Sequence, residues 1–371
     1  MQKVIVFFVS IIWAMAVVPA HGQLVPLCVY TTTQSTFQDL TLSGNYNYSK
    51  DQFKNRPALN SGSATLSFKH VSDAPSLGFL IDGSAKLSLE NNVPTYEVNS
   101  RANMRSYWDQ SDLFSDWGLE GETVPTAQGI NWGARALVGL GYGRFKDVTP
   151  YSKALKIQTQ LIEMKSLPKP LSPETIQSLT KLIVKRGEFP DVPTLVQKLA
   201  EVVEQSDPMQ KKLGALELLR IEEIITGKDN KLCGWDVSVG AGYELLDPSG
   251  GPRDFFLHTS FNYALAPAPR SQFVSKVSFD SQLDFFDEHL LGAEANYSYR
   301  FSDRIDALVK YKFQSNKLRK SSAFETQSIF VGVTFQVQAN LNFQVQLYLT
   351  HNSGYEEWAQ QLIVTASYDF F

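Results

Sequence analysis

The sequence predicts a transmembrane antiparallel β-barrel of about fourteen strands, interrupted by an all-α insert of four helices. Three observations lead to this fold class. Apolar and polar residues alternate along many segments of ten or more residues, the chain ends in aromatic residues, and residues 149–228 change to a helical period. Twelve strands is the alternative count.

The composition excludes several other classes. The 371 residues are 43% hydrophobic and 19% charged, against about 25% charged in an average soluble domain. With 24 Phe and 15 Tyr the chain is too apolar and aromatic for disorder. Two Cys are too few for a disulfide scaffold. A net charge of −4 argues against nucleic acid as a partner.

Residues 1–22 are predicted to be a cleaved signal peptide. Lys3 provides the positive start, residues 4–18 are apolar apart from Ser10, and small residues precede Gln23. An apolar stretch of this length is shorter than the roughly 20 residues of a membrane-spanning helix. The mature chain is therefore expected to be exported.

Strand length separates a membrane barrel from a soluble sandwich. Leu341, Phe343, Val345, Leu347 and Leu349 share one face of a segment whose other face is mostly polar. Membrane strands need about 9–11 residues, and their sheet must close because lipid cannot hydrogen-bond an open edge. Residues 23–148 are predicted to form about six strands and residues 229–371 about eight. Longer connections, including Gly121–Gln128, are expected at the outer end.

Residues 149–228 are predicted to fold into four amphipathic helices. Their starts are marked by Thr149-Pro150, Ser172-Pro173, Asp191 with Pro193, and Asp207-Pro208, each combining a capping oxygen with a proline in the first turn. Counting strands from a periplasmic N-terminus places this insert on the periplasmic side. It could stabilise the barrel base, plug the lumen, or dock a periplasmic protein partner.

The chain ends in Tyr368-Asp369-Phe370-Phe371. This ending resembles the last strand of Gram-negative outer-membrane β-barrel proteins, a porin-like class. The resemblance implies that Tyr368, Phe370 and Phe371 form the signal read by the barrel-assembly machinery. It also implies residence in the outer membrane, with the lipid bilayer as the main partner.

Charged residues of both signs occupy the polar face of the predicted strands. A lining of one sign would favour ion-selective permeation, whereas this mixture also fits cross-strand ion pairs. The predicted lumen-lining residues are Lys86, Glu97, Arg101, Arg105, Arg135, Asp280, Asp284, Glu294, Arg300, Lys310 and Lys312. Arg101, Arg105 and Arg135 could form a basic stripe.

Cys28 and Cys233 both fall at predicted periplasmic strand starts, in an oxidising compartment. The first and seventh of fourteen strands lie on nearly opposite walls, so a bond requires residues 28–37 to be almost fully extended. The sequence is compatible with a disulfide between Cys28 and Cys233 and with two unpaired thiols.

One short motif resembles the His-x-Ser pair of outer-membrane phospholipases and lipid A deacylases. His351 and Ser353 have this spacing, with Glu356 nearby to orient the imidazole ring. Those families carry Asn after the Ser, where this chain has Gly354. A lipid hydrolase is thus one alternative function.

The preferred function is a channel or transporter for small polar solutes or an exported polymer, gated or plugged by the helical insert. A non-conducting scaffold that docks a periplasmic partner is the second alternative. The sequence contains no phosphate-binding glycine loop and no Cys/His metal cluster. We therefore expect no cofactor, no metal and no enzymatic activity.

Overall fold

A computed structural model describes residues 27–30, 35–49, 59–90, 93–109, 111–126, 129–207, 212–227, 230–247, 254–282, 288–302, 304–317, 321–338 and 341–368. The predicted signal peptide, Asp284, Phe370 and Phe371 lie outside these ranges, and so does the side chain of Tyr368. The signal peptide and the assembly signal therefore stay predictions.

Fourteen strands and four α-helices lie within the described ranges, which confirms the predicted count and shows that twelve strands is wrong. The strands are β1 Ser35–Ser49, β2 Leu59–Asp73, β3 Leu77–Glu90, β4 Val93–Tyr107, β5 Leu113–Thr126, β6 Gly129–Asp147, β7 Leu232–Leu246, β8 Phe255–Leu265, β9 Ser271–Gln282, β10 His289–Ser302, β11 Ile305–Lys317, β12 Phe324–Gln338, β13 Leu341–Asn352 and β14 Ala359–Tyr368.

The sheet is a closed barrel. Every strand pairs antiparallel with its neighbour in sequence, and β1 pairs with β14 through Leu42 opposite Tyr368 and Gly44 opposite Ala366. Three described residue pairs form this seam, and they join the two edge strands as a sheet in hydrocarbon requires.

The two ends of the barrel differ in their connections. At the base end, where β6 leads into the helical insert, residues 74–76 join β2 to β3 and residues 266–270 join β8 to β9. The last residues of β1 and β7 lie at the opposite, far end. The predicted long loop Gly121–Gln128 is wrong. Gly121 and Pro125 suggest a break, but Gly121–Thr126 continue β5 and pair with residues 129–134 of β6.

The outer wall of the barrel is apolar. Alternate residues on each strand point outward and are exposed, among them Leu66, Leu119, Val239, Val364 and Leu362, the last 70% exposed. Aliphatic side chains exposed in a continuous closed wall would be unfavourable in water but suit lipid. The alternation read from the sequence therefore corresponds to an apolar outside and a polar inside.

The insert consists of α1 Thr149–Glu163, α2 Pro173–Val184, α3 Val192–Glu204 and α4 Ala215–Thr226. No helix in the described ranges is both long enough and apolar enough to span a membrane. The helices share one buried core, to which Ile157, Leu179, Leu199 and Ile221 contribute. The insert is therefore a small bundle with its own hydrophobic core.

Helix starts agree with the sequence in part. Ser172 accepts a hydrogen bond from the Thr175 amide and Asp191 from the Thr194 amide, as N-caps do. Hydrogen bonds from Thr194 lower the pKa of the Asp191 carboxyl.

The predicted fourth start at Asp207-Pro208 is wrong. Helix α4 begins at Ala215, with Gly214 as its N-cap. The Leu213 amide donates a hydrogen bond to the Glu204 carboxylate at 2.8 Å. Leu213 therefore does not take part in the backbone hydrogen bonds of a helix. At the first start, the hydroxyl of Thr149 accepts from the Lys231 amide instead of capping α1.

Candidate functional site: the barrel lumen

The predicted lumen residues share the inward face of their strands. Along each strand they alternate with residues that are exposed on the outer face, such as Leu87, Met104 and Val138. This placement holds for Lys86 on β3, Glu97, Arg101 and Arg105 on β4, Arg135 on β6, Asp280 on β9, Glu294 and Arg300 on β10, and Lys310 and Lys312 on β11. Asp284 lies outside the described residues.

Six of the inward residues form a row in which the sign of the charge alternates from strand to strand. We call this set the charge row, and each member is directly opposite the next in register. From β2 to β7 it runs through Lys69, Asp82, Arg101, Glu120, Arg135 and Glu244. Arg101 Nε lies 3.5 Å from Glu120 Oε1, and Arg135 Nη2 lies 3.4 Å from Glu244 Oε1. The expected basic stripe is therefore interleaved with carboxylates.

The opposite wall carries a second alternating set. Lys276 on β9 is opposite Glu294, which is opposite Lys312, and the Lys312–Glu294 contact is 3.7 Å. Lys276 also interacts electrostatically with Arg101, Glu120 and Asp82 on β3–β5. Because β9 is several strands away from β3–β5 in either direction, Lys276 brings the two walls into electrostatic contact across the lumen.

A cavity of about 470 Å³ adjoins the charge row. Its lining includes Lys69, Asp82, Arg101, Glu120 and Arg135, together with Ser67, Ser84 and Asn99. Charged and hydroxyl groups dominate the polar side of this lining, so the space suits water and small polar molecules.

Nearer the base end, the inner wall is filled by a corner cluster, which comprises Arg105, Tyr107, Phe114, Arg144, Asp236 and Asn262. Arg105 Nη1 lies 2.6 Å from Asp236 Oδ2, and the Asn262 amide donates to the other carboxylate oxygen at 2.7 Å. The Arg105 guanidinium also lies 4.7 Å from the centre of the Phe114 ring. Phe114 and Asp236 are fully buried, so this part of the wall is packed rather than open.

Glycines allow the corner cluster to form. A Cβ on Gly141 would overlap the Phe114 ring, and a Cβ on Gly139 would lie 2.7 Å from the Val239 carbonyl oxygen. On the paired strand, a Cβ on Gly240 would clash with the backbone of Val138 and Gly139. The absence of side chains at these inward positions lets the backbones of β6 and β7 and the Phe114 ring approach closely.

Cys28 and Cys233 form a disulfide with a Cα–Cα distance of 5.3 Å. Cys233 is buried together with Leu27, Val148 and Ala266. Of the two states that the sequence leaves open, the structure has the bonded one, which fixes residues 27–30 to the start of β7.

The insert contacts the base end of the barrel close to this disulfide. Tyr30 stacks on Tyr151 of α1 with ring centres 5.1 Å apart, and Arg270 between β8 and β9 lies 3.6 Å from Glu163. Burial raises the pKa of the Tyr151 hydroxyl. These contacts attach the insert to the rim formed by β6–β9.

The hydrolase candidates lie at the far end. His351 packs against Trp358 with ring centres 5.3 Å apart. The Ser353 hydroxyl accepts a hydrogen bond from the Glu325 amide at 2.8 Å, which ties the end of β13 to β12. Glu356 lines a separate recess with Tyr355 and Glu357. The contacts described for Ser353 are therefore those of a residue that stabilises the strand ends.

The described residues contain no group of three or more His, Cys, Asp or Glu arranged to hold a metal ion. The sequence-based expectation of no cofactor stays a prediction.

No protein-family model matches the chain, and no curated protein matches it. Among solved structures it is similar to a BenF-like porin from Pseudomonas fluorescens Pf-5, and to OccK1 (OpdK) and OccK2 (OpdF) from Pseudomonas aeruginosa, the last in complex with glucuronate. Identities are 8%, 10% and 7%, and TM-scores are 0.33, 0.33 and 0.36. The matches cover 90%, 90% and 91% of this chain and 97%, 98% and 98% of those chains. Values this low do not transfer a function.

The chain's own architecture defines its class. A closed antiparallel barrel with an even number of strands, an apolar outer wall and a charged inner wall is the architecture of Gram-negative outer-membrane β-barrels. The chain is an outer-membrane barrel of porin-like architecture, as its sequence predicts.

Proposed function

We propose that the protein is an outer-membrane channel for small polar solutes. The observation that carries this proposal is the cavity of about 470 Å³ beside the charge row, inside a barrel whose outer wall is apolar. Charged side chains on an inner wall attract water, and a hydrated lumen is a path for molecules that lipid excludes.

The charge balance of the lumen favours weak selectivity between ions. Lys69, Arg101 and Arg135 are matched in the charge row by three carboxylates. On the opposite wall Lys276 and Lys312 flank Glu294, so the two sets together hold five basic and four acidic residues. Positive and negative groups that alternate at one level of the lumen produce little net potential there. Cations and anions should both pass.

We further propose that the helical insert acts at the rim and narrows the base-end mouth. Its contacts with Tyr30 and Arg270 lie near β7–β9, whereas the cavity lies along β2–β6. The scaffold alternative is favoured by one observation: Leu216, 70% exposed, and Leu219, 51% exposed, leave α4 with two apolar side chains in water. Such side chains are typical of a surface that meets another protein.

Solute flux into liposomes tests both proposals. Purified full-length protein should admit small neutral sugars and exclude large dextrans, while protein-free liposomes admit neither. A variant without the insert can be built because Asp147 and Leu232 are directly paired, so a two-residue turn can replace residues 148–231. Cys28 and Cys233 lie outside the deleted segment, so the variant keeps both cysteines of the disulfide.

The outcomes separate the two roles of the insert. Faster sugar entry in the deletion variant supports narrowing of the mouth, and an unchanged rate favours the scaffold role. If folded full-length protein admits no sugar, the channel proposal fails.

A further inference from the structure

We propose that the charge row is a binding site for zwitterionic solutes, small molecules that carry one ammonium and one carboxylate group. This inference rests on the proposed channel function and names the class of solute that passes most readily. It is argued from the register of the row, its charge balance, and the exposure of its side chains.

Register sets the spacing of the charges. Each member of the row is directly opposite the next, as in Asp82 opposite Arg101 and Arg101 opposite Glu120. Directly opposed residues have Cβ atoms about 4.5–5.5 Å apart. A small solute in the cavity therefore meets a positive and a negative group side by side, as where Arg101 Nε lies 3.5 Å from Glu120 Oε1.

Charge balance disfavours simple ions relative to zwitterions. The row holds three basic and three acidic residues, so an ion close to one favourable group is also close to an unfavourable one. A zwitterion whose carboxylate faces Arg101 and whose ammonium faces Glu120 is attracted at both ends. A neutral molecule of the same size has only hydrogen bonds to offer.

The pairs in the row are loose enough to accept a solute. The Arg101–Glu120 and Arg135–Glu244 contacts, 3.5 and 3.4 Å, are longer than the roughly 2.7–2.9 Å of a charge-assisted hydrogen bond. The side chains of Arg101, Glu120 and Arg135 keep 24–33% of their surface exposed. The Arg105–Asp236 pair is different, because its contact is 2.6 Å and its carboxylate is fully buried. Arg105 and Asp236 do not line the cavity, whereas five members of the row do, together with Glu122.

The experiment compares four labelled solutes of similar size entering vesicles that contain the full-length protein. Glycine is the zwitterion, glycolamide is neutral, glycolate is the anion and ethanolammonium is the cation. We expect glycine to enter up to about fivefold faster than glycolamide, the scale of one exposed ion pair. Glycolate and ethanolammonium should enter more slowly than glycine.

A double substitution tests whether the charge row causes the preference for glycine. Arg101→Gln with Glu120→Gln removes one positive and one negative group of the row without changing the net charge, and it should abolish the glycine preference. The matched control is Arg300→Gln with Asp306→Asn. It neutralises a cross-strand pair on β10 and β11, outside the cavity lining, and should retain the preference.

Each outcome decides a different point. Equal entry of glycine and glycolamide through the unaltered protein overturns the zwitterion site but leaves the channel intact. Loss of the preference in both double variants overturns the assignment to the charge row. No entry of any solute contradicts the channel itself. The unaltered protein alone therefore tests the proposal even if a variant does not fold.

Discussion

The guanidinium of Arg105 on β4 lies 2.6 Å from the carboxylate of Asp236 on β7, three strands away around the wall. Asp236 is fully buried and also accepts a hydrogen bond from Asn262. The pair therefore joins β4 to β7, and because Asp236 is buried, loss of its cationic partner should destabilise the barrel.

Arg105→Met tests that contribution. It leaves the buried Asp236 carboxylate without its cationic partner, so the free energy of unfolding should fall by about 3–5 kcal/mol. Urea unfolding in detergent or lipid measures the change. Arg300→Met is the control, because its partner Asp306 is 45% exposed and such a pair contributes about 0–1 kcal/mol. Equal losses for the two variants would contradict the role assigned to the buried pair.

Gly139→Ala should impair folding of the barrel. Its Cβ would lie 2.7 Å from the Val239 carbonyl oxygen and 3.1 Å from the Gly240 Cα, both backbone atoms that cannot rotate away. The fraction of protein that shows the heat-dependent gel mobility of a folded barrel measures the effect. Gly44→Ala is the matched strand control, since its nearest contact is an ordinary 3.4 Å. Normal folding of Gly139→Ala would show that β6 and β7 do not need the close approach.

The disulfide should stabilise the protein through the large loop it closes. Cys28 and Cys233 are 205 residues apart in sequence. In the chain-entropy description, closing so long a loop contributes about 5 kcal/mol. Reductant should therefore lower the midpoint of urea unfolding of the unaltered protein. The double variant Cys28→Ser with Cys233→Ser should have the lower midpoint already and show no response to reductant. A response in that variant would point to an effect unrelated to the bond.

The helical insert should unfold independently of the barrel. Leu199→Ala removes a fully buried side chain from that core and should cost the insert about 2–5 kcal/mol. Circular dichroism at 222 nm should show earlier helix melting, while gel mobility reports an unchanged barrel. Leu216→Ala is the control because Leu216 is exposed on α4. Simultaneous loss of helix and barrel would mean that the two fold as one unit.

Much of the fold could be predicted from the sequence because apolar and polar residues alternate within each strand. The outward set Val345 and Leu347 and the inward set Gln344 and Gln346 follow from period two alone. Helix starts at Ser172 and Asp191 likewise follow from local chemistry. The start of α4 does not, because Asp207-Pro208 looks like a start while the helix begins at Ala215.

The site was only partly predictable, because register between strands is not encoded in any single strand. The inward parity of Arg101, Glu120 and Arg135 can be read from the sequence, but their alignment into one row depends on the turns and bulges that set register. The Arg105–Asp236 contact in addition joins strands that are three apart in sequence order. The glycine run at 139, 141 and 143 is the sequence signal for the close approach of β6 to its neighbours.

The central claim is that the lumen conducts. Single-channel recording of the purified full-length protein in a planar bilayer tests it most directly. We expect discrete current steps that scale with salt concentration, and a reversal potential near zero in a salt gradient, because the lumen charges alternate in sign. Folded, inserted protein that gives no steps at any applied voltage would contradict it.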